Sequence, residues 1–137
     1  MQWTLNRNIT KRINFLVKEL GLMHISPGQI FSFRSRGSSS QATARIWSLP
    51  TIWQQALEIK PHYCLEVISE RFDKLSLDDQ ERVLIHELLH IPKTFGGGFR
   101  QHDYVCERNV ELLYRKFLSM KQSLPSLSNQ RNLFFWK

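Results

Sequence analysis

His86, Glu87 and His90 form an H-E-x-x-H sequence, the part of this chain best suited to metal chemistry. On a helix, residues four apart lie one turn apart on the same face, so both imidazoles can reach one ion. Glu87 stands where its carboxylate can act as general base on a metal-activated water without being a ligand. The pattern therefore predicts a metal-dependent hydrolytic centre, provided that a third ligand lies nearby.

A catalytic zinc ion usually has three protein ligands and one position open to water. His102 follows the run Gly96 to Gly98, whose backbone freedom can turn the chain back toward the motif. Glu111 is the alternative third ligand, and Glu107 is a weaker version of the same idea, because carboxylates also bind zinc. We favour His102 and expect one Zn²⁺ per chain. In that arrangement Asp103 or Glu111 would orient a ligand histidine.

The motif is predicted to lie on a helix that begins after Ser76 and ends before Pro92. The Ser76 hydroxyl can cap the helix, and Asp78 and Asp79 place negative charge at the positive end of the helix dipole. Pro92 lacks an amide donor and disfavours helix at the residue before it. Apolar residues surround the two histidines, so this helix should be buried in the core.

Three further helices are expected from hydrophobic spacing and boundary residues. An amphipathic helix fits residues 8–21 with Asn8 as its cap, a short helix fits Pro50 to Leu57, and a long helix fits residues 103–121. The tail from about residue 122 ends in the apolar run 133–136. It is expected either to be loose or to dock back on the domain, where it could occupy the cleft.

Three segments have the composition of β-strands, namely residues 30–33, 44–47 and 62–68. The stretch 34–45 is rich in Ser, Gly and Thr, and it is predicted to be a long hairpin connection between the first two strands. The third strand, if it forms an edge of the cleft, could pair with an extended peptide by strand addition.

Length and composition fit one domain spanning residues 1–137, which should fold without disulfides because 42% of its residues are hydrophobic and 12% aromatic. Its two cysteines form no C-x-x-C pair. The sequence has no run of about 18 apolar residues, and its start lacks the apolar core of a signal peptide. We therefore expect an intracellular, cytoplasmic protein with no membrane partner.

The net charge of +7 is unevenly distributed along the chain. Residues 58–111, which include the motif, contain seven Lys/Arg and eleven Asp/Glu, a net charge of −4, whereas both flanks are basic. A pI near 9.8 raises nucleic-acid binding as a second function class. Arg34, Arg36 and Arg45 are the candidate phosphate contacts, and such binding would weaken steeply with salt.

These residues resemble those of the zincin metallopeptidases. More narrowly, the segments Leu65 to Phe72, His86 to Lys93 and Gly97 to His102 are similar to a family of small metallopeptidases of archaea and phages. The likeness covers about residues 61–103. It implies an α+β, single-domain zincin-like fold, in which further helices and a buried active-site helix pack on a small, mostly antiparallel sheet.

The resemblance also implies a zinc-dependent peptidase activity on a peptide or protein substrate. His86 and His90 match the zinc ligands, Glu87 matches the catalytic base, and His102 matches the third ligand. Tyr104 or Arg100 could stabilise the transition state, an idea that rests only on their closeness to His102.

Two variants of this interpretation stay open. Glu111 lies near the spacing of gluzincins, which use a downstream glutamate. The glycine turn before His102 is similar to that of SprT-like proteases, which act on DNA–protein crosslinks. The alternative function is therefore a nucleic-acid-associated protease, or a basic nucleic-acid-binding protein whose metal site is structural.

Overall fold

The structure is a computed structural model that describes residues 1–102 and 104–122. The predictions for Asp103 and for the apolar tail lie outside the described residues. The elements, in chain order, are β1 (Gln2–Leu5), α1 (Arg7–Glu19), a 3₁₀ turn (Pro27–Gln29), β2 (Ile30–Arg36), β3 (Ala44–Ser48), α2 (Thr51–Leu57), β4 (Tyr63–Ile68), α3 (Ser69–Phe72), α4 (Leu77–Leu89) and α5 (Glu107–Gln122).

The four strands form one mixed sheet in the order β1-β2-β4-β3. The pairs β1–β2 and β3–β4 are antiparallel, and the central pair β2–β4 is parallel. The sheet is therefore mostly antiparallel, and the α+β class predicted from sequence is confirmed. The strand β1 was not predicted, because its four residues are all exposed and show no burial pattern.

The predicted hairpin over residues 34–45 is wrong, because β4 lies between β2 and β3. Leu65 and Val67 of β4 are fully buried, and the most apolar strand takes the central position where both of its edges are paired. This order makes β3 an edge strand. Residues 62–68 therefore form no free edge, and the predicted pairing of this strand with a peptide is wrong.

One face of the sheet carries the helices. The α1 helix packs mainly on β2, and α4 packs against β3 and α5. The shared core contains apolar residues from all of these elements, among them Ile13 and Leu16 of α1, Leu65 and Val67 of β4, Leu84, Ile85 and Leu88 of α4, and Phe117 of α5. The motif helix is thus held by the core along its apolar side, as its sequence predicts.

Helix boundaries agree with the predictions to within a few residues. The Ser76 hydroxyl accepts a hydrogen bond of 3.1 Å from the Asp79 amide, as expected for the cap of α4. The cap of α1 is Asn6, whose side chain accepts from the Ile9 amide at 3.0 Å, and the prediction of Asn8 is wrong. The α5 helix begins four residues later than predicted, at Glu107. No described helix combines the length and apolarity needed to cross a bilayer.

Candidate metal centre

His86, His90 and His102 converge at the end of α4. One ring nitrogen from each lies within 4.8 Å of those of the other two. His86 lies in the last turn of α4, His90 is the C-cap of that helix, and His102 lies in the loop that follows. Three imidazoles form a donor set that suits Zn²⁺ and leaves a fourth position for water. The cluster therefore fits a single metal ion, and Glu111 is not part of it.

The loop between α4 and His102 is closed by a reciprocal pair of hydrogen bonds. The Arg100 amide donates to the His90 carbonyl at 2.7 Å, and Nδ1 of His90 lies 2.9 Å from the Arg100 carbonyl. Because a carbonyl only accepts, Nδ1 carries the hydrogen in this bond. The Nε2 lone pair of His90 is then free to bind a metal.

The glycine run within this loop is held by hydrogen bonds to the Tyr63 side chain of β4. The Tyr63 hydroxyl donates to the Gly98 carbonyl at 2.9 Å and accepts from the Gly97 amide at 3.0 Å. The Tyr63 ring also packs edge-on against Phe95 and Phe99. The core strand thereby fixes the path of the chain just before His102.

Gly97 has a positive φ of +105° and lies against the side chain of Gln54. A β-carbon at this position would lie 2.6 Å from Nε2 of Gln54 and 2.9 Å from the Leu49 carbonyl. The Gln54 amide donates to the Leu49 and Gly96 carbonyls, which ties α2 to the loop. Glycine is therefore required here by both backbone conformation and space.

Glu87 is the buried acidic group of the centre, with 8% of its surface exposed. Burial raises the pKa of Glu87 to about 8 in the metal-free protein. Burial also lowers the pKa of His86, and the neighbouring His90 and His102 lower it further. His86 is therefore held in the neutral form that can bind a metal.

Glu111 is engaged elsewhere. Its carboxylate accepts from Nε of Arg82 at 2.9 Å and from Nη2 at 3.4 Å. Arg82 also donates to Asp79 on its own helix at 3.0 Å, so its guanidinium is held by one carboxylate of α4 and joins α4 to α5 through Glu111. Glu107, the weaker candidate ligand, is exposed at the start of α5 and also lies outside the histidine group.

Two cavities meet at the motif. The histidine cavity, of about 410 Å³, is lined by the three histidines, Glu87, Arg45, Ile46 and Arg100, among others. The α5 cavity, of about 690 Å³, lies between α4, the first turn of α5 and the start of β3. His86 and Glu87 line both cavities. The candidate metal centre thus lies where the two cavities meet.

Arg100 and Tyr104, the candidate transition-state stabilisers, lie against each other. The guanidinium carbon of Arg100 is 3.4 Å from the centre of the Tyr104 ring. Of the two, Arg100 lines the histidine cavity, and Tyr104 is absent from the described lining of both cavities. Arg100 is consequently the better placed of the two to reach a substrate.

The arginines proposed as nucleic-acid contacts are separated and largely paired. Arg34 forms an ion pair with Asp73, and Arg45 binds the buried Glu66 carboxylate at 2.7 Å. Arg34 and Arg45 also project from opposite faces of the sheet, because Arg34 is in register with Val67 and Arg45 with Glu66. Arg36 ends β2. The geometry does not assemble the three into one basic patch.

Tyr63, Gln54 and Arg82 support the site and were not identified from sequence. Nothing in the spacing of Tyr63 or Gln54 indicates that their polar ends meet a loop more than 30 residues away. Arg82 did carry a signal, because Asp79 lies three residues before it, which is a favourable spacing for an ion pair on a helix.

A family model described as "Putative phage metallopeptidase" matches residues 1–126, which is most of the chain. Neither the curated proteins nor the solved structures contain a significant match to this sequence.

Proposed function

The chain belongs to the phage metallopeptidase family, and on that premise we propose that it is a zinc-dependent peptidase that hydrolyses peptide bonds. The observation that carries this proposal is the convergence of His86, His90 and His102 beside the buried Glu87. Three imidazoles and an adjacent carboxylate are the groups that such a hydrolysis needs.

We assign the metal ligands as His86, His90 and His102, and the general base as Glu87. When bound, a zinc ion supplies a Lewis acid that lowers the pKa of a coordinated water toward about 7. Glu87 takes the proton from the attacking water and passes it to the leaving amine. The position of Glu87 suits this role, because Glu87 directly follows His86 and lines the same cavity as the three histidines.

The β3 strand is the element that would hold the substrate. Within the described chain β3 pairs only with β4, so its other edge presents free backbone groups. Ala44 of β3 lines the α5 cavity, and Arg45 and Ile46 line the histidine cavity. An extended peptide added along this edge would pass over His86 and Glu87.

Arg100 is the residue that we assign to stabilising the oxyanion. It lines the histidine cavity, and its guanidinium is supported by the ring of Tyr104. A cation beside the scissile carbonyl would stabilise the negative charge that develops during attack by water. Tyr104 would then act through Arg100, as a positioning residue.

The direct test is zinc titration together with a cleavage assay on an unfolded protein substrate. We expect about one zinc per chain, cleavage that stops on addition of a chelator, and recovery when zinc is restored. Cleavage that persists in fully metal-depleted protein would overturn the proposal. No specific observation favours the nucleic-acid alternative, because two of its three arginines are paired with carboxylates.

A further inference from the structure

The α5 cavity carries a charge pattern that the proposed hydrolysis does not use. Besides Glu87, its described lining residues include three further carboxylates, those of Asp79, Glu107 and Glu111, and the guanidinium of Arg82. Acid therefore exceeds base here, in a chain whose net charge is +7. A cavity of this sign beside a hydrolytic centre would attract a cationic group.

We propose that the α5 cavity is a specificity subsite that binds a lysine or arginine side chain of the substrate, next to the bond that is cleaved. The inference rests on the proposed peptidase function. His86 and Glu87 line both cavities, so the α5 cavity lies beside the atoms that would react.

The lining of the cavity matches the shape of a long basic side chain. Val83 and Val110 provide apolar surface, and the small residues Ala42 and Ala44 leave room on the β3 side. Lysine and arginine bury an aliphatic stem against apolar surface while their charged end remains near polar groups. The stem would lie on the two valines, and its cationic end would reach the carboxylates of α5.

Glu107 is the carboxylate most available to a ligand. Asp79 and Glu111 already bind Arg82, at 3.0 Å and 2.9 Å. In the described part of the chain, Glu107 forms no ion pair. A substrate cation would therefore find in Glu107 an acceptor that needs no existing ion pair to break.

The other side of the centre has the opposite sign and sets the direction of binding. The histidine cavity carries Arg100 and also Arg45, which is paired with Glu66, and Glu87 is the only carboxylate among its described lining residues. A basic side chain is repelled by Arg100 there and attracted to the α5 cavity. The two cavities together would orient a peptide along β3.

The test uses peptides with a single cleavable bond. The peptides are identical except at the residues flanking that bond, where Lys, Met or Glu is placed. For the zinc-loaded enzyme we expect kcat/KM to be about tenfold higher for the Lys peptide than for the Met peptide. Glu107→Gln should abolish this preference, and Glu107→Lys should transfer it to the Glu peptide. Glu19→Gln, which alters an acid of α1 outside the cavity, should leave the ratio unchanged.

A binding measurement separates this inference from the peptidase function. Fluorescence anisotropy with the zinc-loaded Glu87→Gln variant compares the affinities for the Lys and Met peptides, with and without Glu107→Gln. Selective binding that needs Glu107, without cleavage by the wild type, would support the subsite and contradict the peptidase. Cleavage with equal kcat/KM for the three peptides would overturn the subsite alone. Absence of both cleavage and selective binding would overturn both.

Discussion

His90 and Arg100 are joined by two reciprocal hydrogen bonds, one between their backbones and one from the His90 ring to the Arg100 carbonyl. The same contact therefore closes the loop after α4 and orients the His90 ring. Because His102 follows Arg100 by two residues, the second and third candidate ligands are positioned by one feature. We therefore expect changes elsewhere in this loop to affect the centre.

Tyr63→Phe should weaken the loop without removing any candidate ligand. The change deletes the hydroxyl that bonds the Gly97 amide and the Gly98 carbonyl, leaving both without that partner. We expect a loss of about 1–3 kcal/mol in the free energy of unfolding, measured with urea. Tyr104→Phe is the control, because its ring is partly exposed and a surface change should cost less than about 0.5 kcal/mol. Equal losses in the two variants would argue against the anchor.

Gly97→Ala and Gly98→Ala should differ in the sign of their effects. Gly97 has a positive φ, and an added β-carbon would lie 2.6 Å from the Gln54 side chain, so we expect destabilisation of about 1–3 kcal/mol. A β-carbon added at Gly98 would have no atom within 4 Å, and alanine should be neutral or stabilise by less than about 1 kcal/mol. Thermal unfolding of the pair measures the difference, and matching melting temperatures would contradict it.

His102→Ala and Glu111→Ala distinguish the two candidate third ligands. We expect the first variant to lose most of its zinc on dialysis, because only two imidazoles would remain. The second should keep about one zinc per chain and lose only the ion pairs of Glu111 with Arg82 and Arg115. Metal analysis by mass spectrometry gives the answer. Full zinc content in the histidine variant would reopen the choice of Glu111.

The helix that carries the motif could be predicted because its determinants are local. Ser76 caps it, Pro92 follows its end, and the apolar spacing between them identifies the buried face. The position of β4 depends instead on which strands pair. No local pattern shows whether β2 pairs with β3 in a hairpin or with β4, which lies between them. Sequence therefore indicated the elements better than their order.

The centre divides in the same way. His86, Glu87 and His90 follow from helical spacing, and His102 was favoured because a glycine turn precedes it. The anchors Tyr63 and Gln54 could not be predicted, because their contacts arise from tertiary packing between elements distant in sequence. The ion pair between Arg82 and Glu111, the alternative third ligand, could not be predicted for the same reason.

Glu66 should make the stability of the protein sensitive to acid. Burial raises its pKa, but hydrogen bonds from Arg45 and Trp47 outweigh that effect, and the pKa lies below its ordinary value of 4.5. A lowered pKa means that Glu66 stabilises the fold above pH 4.5 and that this stabilisation disappears as pH falls through the folded-state pKa. Urea unfolding at several pH values should show that the free energy of unfolding falls less steeply with acid in Glu66→Gln than in the wild type. Arg45→Met, which removes the partner of Glu66, should also reduce this fall. The same fall in both variants as in the wild type would contradict the assignment.

The most direct test of the central claim is kcat/KM of the Glu87→Gln variant, measured beside its zinc content. The account predicts about one zinc per chain and a loss of about 10²- to 10⁴-fold in kcat/KM, because the ligands remain and the general base is gone. Glu87→Asp, with a shorter carboxylate, should retain part of the activity. A zinc-loaded Glu87→Gln variant that cleaves as fast as the wild type would contradict the account.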